Sequence, residues 1–108
     1  METIETKLEQ FRALVEADTR ARYLAEFGED RFAVHEPRTV ARLKLGKKYA
    51  KVDVGTSGKY MVEMDTGRIF GIKAYGVIHR GHQYGTLDTI NEWNWGGYVG
   101  VKLAQVAA

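Results

Sequence analysis

Apolar residues in the first quarter of the chain recur at three- and four-residue spacing: Ile4, Leu8, Phe11 and Leu14 with Val15, then Ala17, Ala21, Leu24 and Phe27. That period is the stripe of an amphipathic helix with one buried face. Charged pairs four apart, such as Glu16 with Arg20 and Asp18 with Arg22, support an exposed face opposite. Gly28 stands where a helix C-cap glycine belongs, and Glu29-Asp30 begin a loop. The same pattern accommodates a break near Asp18-Thr19, which would divide the helix in two.

Beyond Pro37 the period changes to two. Ala41, Leu43 and Leu45 alternate with Arg42 and Lys44; Ala50, Val52 and Val54 alternate with Tyr49, Lys51 and Asp53. Tyr60, Val62 and Met64 alternate with Lys59 and Glu63, and Phe70, Ile72 and Ala74 alternate with Ile69 and Lys73. Each run is a half-buried strand. Gly46-Lys47-Lys48, Gly55 to Gly58 and Asp65-Thr66-Gly67 are connections of hairpin length, so successive strands must be antiparallel. A fifth strand fits Tyr75–His79. The fold class expected is α+β, an N-terminal helix packed on a four- to five-stranded antiparallel meander. By parity, Arg42, Lys44, Tyr49, Lys51, Lys59 and Lys73 face away from the helix.

Composition narrows the class. At 108 residues the chain is one domain, and 44% hydrophobic with 28% charged residues is a globular rather than a disordered balance. The absence of cysteine removes disulfides and Cys-based zinc sites, and fits a reducing compartment. No apolar run approaches the roughly 18 residues of a membrane span, and the N-terminus is acidic rather than a basic-plus-apolar leader. A cytoplasmic setting is the expectation.

Charge is distributed unevenly. Residues 1–30 hold four Lys and Arg against eight Asp and Glu, residues 31–82 hold eleven against four, and residues 83–108 hold one against two. An acidic helix (1–28) thus precedes a basic antiparallel sheet (31–82) and an aromatic, glycine-containing segment (83–108). The basic block points to nucleic acid or an acidic protein surface as partner, with Lys47, Lys48, Lys51, Lys59, Lys73 and Arg80 as charge contacts and Tyr49 as a stacking partner. A solvated sheet face would carry the same residue types as protection against edge pairing. The acidic helix of one copy against the basic sheet of another would give a homo-oligomer.

Catalytic motifs are weak. Gly55-Thr56-Ser57-Gly58-Lys59 lacks the glycine at Asp53 and the hydroxyl at Tyr60 that a Walker A loop needs, and strand-like flanks do not suit a KH-type clamp. Asp65-Thr66-Gly67 matches the aspartic protease triplet, but Glu63-Met64 before it and Arg68 after it suit a hairpin turn better. His79 and His82, three apart, lack a third His or Cys ligand nearby for a metal site. With Arg80 and Tyr84 they could instead cleave RNA by metal-independent acid–base catalysis, the alternative reading. No catalytic residue, metal or cofactor is assigned. Trp93, Trp95 and Tyr98 with Gly96-Gly97 would plug one end of the core, one tryptophan remaining partly exposed, or form a contact surface.

The stretch Lys48–Leu87, with Val54-Gly55-Thr56-Ser57-Gly58-Lys59-Tyr60-Met61-Val62, Gly67-Arg68-Ile69-Phe70-Gly71-Ile72-Lys73 and Tyr84-Gly85-Thr86-Leu87-Asp88, resembles small uncharacterised proteins of bacteria and their phages. It carries no catalytic motif to transfer. What the resemblance implies is a setting, that of small accessory inhibitors, adaptors or nucleic-acid binders. The expectation from the whole chain is a non-enzymatic binding module, with an inhibitor of a host nucleic-acid machine among its forms.

Overall fold

The computed structural model describes residues 2–74, 76–97 and 99–103. Helix α1 runs unbroken over Ile4–Phe27, so the Asp18-Thr19 step does not divide it. Thr3 caps its start by accepting from the Thr6 N–H, and Gly28 ends it with φ at 75°, a left-handed conformation that disfavours any other residue. Leu8, Phe11, Val15 and Thr19 form the buried stripe, while Ala17 and Ala21 are exposed. The expected continuation through those alanines is corrected because small residues carry little information about facing. Glu29–His35, expected to open as a loop, instead forms a short helix α2, followed by a 3-10 turn over Glu36–Thr39.

Five strands follow: β1 (Ala41–Lys44), β2 (Tyr49–Val54), β3 (Ser57–Glu63), β4 (Arg68–Ala74) and β5 (Val77–Thr86). They form one antiparallel sheet in the order β1-β2-β3-β4-β5, the meander that short connections impose. The Gly55-Thr56 link is a two-residue turn with Val54 paired to Ser57, tighter than the four-residue loop expected. A second 3-10 turn (Leu87–Glu92) leads to β6 (Trp93–Asn94), paired with β7 (Val101–Lys102). Tyr75, at the expected start of the fifth strand, and Tyr98, in the aromatic segment, lie outside the described residues.

The core lies between α1 and one face of the sheet. Leu8, Phe11 and Val15 meet Ala41, Ala50, Val52, Tyr60, Val62 and Ile69. The outer edge of β1 is closed by α1: Arg12 Nη1 donates to the Ala41 carbonyl at 3.0 Å, and Glu16 Oε1 accepts from the Ala41 N–H at 2.9 Å. That clamp satisfies backbone groups an edge strand would otherwise offer to another chain.

Trp95 is fully buried at the centre of an aromatic cluster. Its ring meets Phe11 edge-on with centroids 4.8 Å apart, and Tyr60 at 5.2 Å. Its indole N–H donates to the Ile90 carbonyl at 3.0 Å, its backbone N–H donates to Asp18 Oδ2 at 2.9 Å, and its carbonyl accepts from the Tyr60 hydroxyl at 3.2 Å. Trp93 stacks beside it, partly buried.

The far face of the sheet is also covered. Met61 and Phe70 point away from α1, yet both are buried. Side chains of β5 and the β4–β5 turn reach across that face toward β2. β5 makes an excursion at Arg80-Gly81-His82, since Gly71 pairs with His79 while the adjacent Phe70 pairs with Gln83. Strands stand about 4.8 Å apart, so β5 lies roughly 14 Å from β2 in a flat sheet. Arg80 nevertheless reaches the Tyr49 hydroxyl at 3.3 Å, and a Cβ on Gly76 would stand 3.6 Å from Lys51 Nζ. Long side chains and the β4–β5 turn bridge that distance across the far face.

Trp95→Ala is expected to cost about 3–5 kcal/mol in denaturant unfolding, a large share of such a domain's stability. Asp18→Ala, which removes the acceptor for the Trp95 N–H, is expected to cost about 1–3 kcal/mol.

Candidate functional site

Five of the seven residues expected to contact a partner share one region. Lys47 and Lys48 are exposed in the β1–β2 connection, and Tyr49 and Lys51 follow on the far face of β2. Arg80 joins them from β5 through its hydrogen bond to Tyr49, and the Lys48 ammonium lies 5.6 Å from the Tyr49 ring centroid. Arg42 and Lys44 extend the patch along β1, where Asp53 stands opposite Arg42 and 3.7 Å from Lys44 Nζ. Glu63, paired with Tyr49, borders it, and its carboxylate accepts from Thr66 at 2.6 Å. The patch combines several cations with one half-exposed ring, a surface that can track phosphates and stack a base.

Lys59 and Lys73 do not belong to that patch. Tyr60 pairs with Val52 and Gly58 with Asp53, so Lys59 is an extra residue, a β-bulge. The bulge turns its side chain to the α1 side of the sheet, where it lies half-buried and close to Arg22. Lys73 follows Ile69 and Gly71 on the helix side, because Phe70 and Ile72 occupy the far face. The expected facing of β4 is thereby corrected. Both faces of β4 are covered, so apolar residues on both sides left its parity without a signal.

Lys59 stands between two clefts. One, of about 600 Å³, lies between the C-terminal half of α1 and the β2–β3 turn, with Arg22, Tyr23, Phe27, Arg38 and Lys59 in its walls. The other, of about 630 Å³, is walled by Lys59, Lys73, His79, His82 and Tyr84. Burial, with a smaller contribution from the Arg22 charge, holds the Lys59 ammonium below the usual lysine range. Among the described residues Lys59 forms no ion pair.

His79 and His82 stack face to face, centroids 4.0 Å apart and planes within 7°. Side by side, they do not face each other across the gap that an acid and a base need to flank a phosphate. Tyr84 is buried against Trp93 and Trp95, and burial pushes its phenol above the usual tyrosine range. It is a core residue. Asp65 sits exposed in the β3–β4 turn, where Thr66 Oγ1 accepts from the Arg68 N–H at 3.2 Å. Among the described residues no three metal-ligating side chains converge, and no helix is long and apolar enough to cross a membrane.

Comparison with known proteins gives no relative. No protein-family model, curated protein or solved structure matches the chain. The geometry of the patch and the two clefts therefore carries the functional argument.

The arrangement around Lys59 has a thermodynamic consequence. Its pKa is lower in the folded protein than in the unfolded chain, so the unfolded chain binds more protons between the two values. Stability from this group rises as pH increases through that window. Lys59→Met is expected to raise Tm at neutral pH by no more than a few degrees and to remove that alkaline gain, both read from melts across a pH series. A fall in Tm at neutral pH would mean that the ammonium is held by a favourable contact.

Proposed function

We propose that this protein is a non-enzymatic module that binds nucleic acid through the far face of its sheet. The observation that carries the reading is the hydrogen bond from Arg80 to Tyr49, which gathers cations from β5 and from the β1–β2 connection around one ring. Lys47, Lys48, Lys51 and Arg80 meet the phosphates, and Tyr49 supplies an aromatic edge against a base or sugar. The excess of eleven basic over four acidic residues in 31–82 supports it as a long-range attraction that speeds encounter. Lys59 and Lys73 stand outside this contact.

The setting proposed is cytoplasmic. A role as an accessory inhibitor that occupies a host machine's nucleic acid is the form of this binding that the expected likeness of Lys48–Leu87 to small bacterial and phage proteins would imply.

The test is binding to short single- and double-stranded DNA and RNA across a salt series. With four cations in contact, log affinity is expected to fall against log salt with a slope of about −3 to −4. The double variant Lys48→Glu/Lys51→Glu is expected to weaken binding at least tenfold and reduce the slope by about 2. No binding at low ionic strength would overturn the reading and direct the patch to an acidic protein surface, a second copy's α1 included.

A further inference from the structure

The cleft between α1 and the β2–β3 turn has a composition that the sheet face does not explain. Lys59 projects into it from the bulge, and Arg22 and Arg38 line it from α1 and the 3-10 turn. Among the described residues none of the three forms an ion pair. Burial first, and the Arg22 charge after it, disfavour the lysine's protonated form, yet both groups line one cavity. Among the described residues Arg22 donates to a neutral acceptor, the Gly96 carbonyl, at 3.4 Å. Adjacent like charges in a partly desolvated cavity are relieved by an anion.

The class of anion follows from charge and shape. Glu26 is the one carboxylate among the described wall residues, so three cations leave a double positive charge. A phosphate monoester dianion neutralises that, whereas a lone carboxylate leaves half of it unmatched. Thr56 and Ser57, both exposed in the turn, add hydroxyl donors at the mouth. The opposite wall is aromatic: Tyr23 and Phe27 lie with centroids 5.6 Å apart, and Phe27 is backed by a stacked His35 at 4.0 Å. That shelf suits a planar ring attached to the phosphate. At about 600 Å³ the cleft is in the range of small-ligand sites.

We infer that this cleft is a nucleotide-phosphate site, with Lys59 and Arg22 on the phosphate and Tyr23 with Phe27 against the base. The site is separate from the far-face patch, being on the α1 side of the sheet. Its ligand is a free nucleoside monophosphate or the phosphorylated end of a strand, which present the same group. The β-bulge is the device that makes the site. Without the extra residue in β3, Lys59 would fall on the far face, and the cleft would lack its innermost cation.

Titration calorimetry at low ionic strength with AMP, adenosine and inorganic phosphate tests the inference. AMP is expected to bind, with adenosine at least tenfold weaker. Lys59→Met and Arg22→Gln are each expected to lower AMP affinity by about tenfold. Lys48→Glu/Lys51→Glu is expected to leave AMP binding unchanged, so the two sites fail separately. AMP should also slow acylation of the Lys59 amine in the unaltered protein, read by peptide mass, a measurement that needs no variant to fold. A 5′-phosphorylated oligonucleotide binding more tightly than its 5′-hydroxyl counterpart would assign the phosphate to a strand end. Equal binding of the two, with AMP binding retained, would assign it to the free nucleotide. No AMP binding, equal binding of AMP and adenosine, or loss of AMP binding only in the far-face variant would overturn the inference.

Discussion

The structure depends on how Trp95 is satisfied. A tryptophan buried completely must place its N–H on an acceptor, and here the Ile90 carbonyl takes it. Its backbone is held as firmly, by Asp18 of α1 on one side and the Tyr60 hydroxyl of β3 on the other. One residue therefore ties the helix, the middle of the sheet and the segment after β5 to a common point. Gly96 follows from the same constraint. A Cβ there would collide with the Asp18 carbonyl of α1, so the chain passes the helix at this point as glycine. Burial pushes the Tyr60 phenol well above its ordinary range, which keeps it a neutral hydrogen-bond donor.

A second constraint acts on the other side of the sheet. Met61 and Phe70 are buried on the face that α1 does not reach, where Arg80 of β5 and Gly76 of the β4–β5 turn lean toward β2. The same hairpin presents Arg80 to Tyr49 and so assembles the basic patch. The bulge at Lys59 does the opposite for a single charge, withdrawing it from that patch and setting it beside α1. Irregularities in the ladder decide where Lys59 and Arg80 stand, while Arg42, Lys44 and Lys51 follow strand parity.

That division explains what was legible in the sequence. The period-two runs and short links gave the antiparallel meander, and the spacing of Leu8, Phe11 and Val15 gave the helix and its buried face. Parity placed Arg42, Lys44, Tyr49 and Lys51 correctly because β1 and β2 are more nearly one-sided. It misplaced Lys73 because β4 is apolar on both faces, and Lys59 because a bulge leaves no trace in an alternating pattern. Only the unusual Gly58-Lys59-Tyr60 step, glycine entering a strand before a large core residue, marked the place. The meeting of Lys59 with Arg22 and Arg38 joins three parts of the chain, and no local spacing encodes it.

The distance along the chain between Asp18 and Trp95 has a consequence during synthesis. Their hydrogen bond spans 77 residues, and Phe11, the indole's nearest aromatic neighbour, is more remote still. Until Trp95 leaves the ribosome, the helix and the sheet meet only through Leu8, Phe11, Val15 and the clamp on Ala41, and the indole that touches Phe11, Tyr60 and Tyr84 together is missing. Contacts of such separation form late and slowly. The seam between Phe11, Tyr60 and Tyr84 is therefore the part of the core that synthesis completes last, because its central side chain is made almost at the end of the described chain.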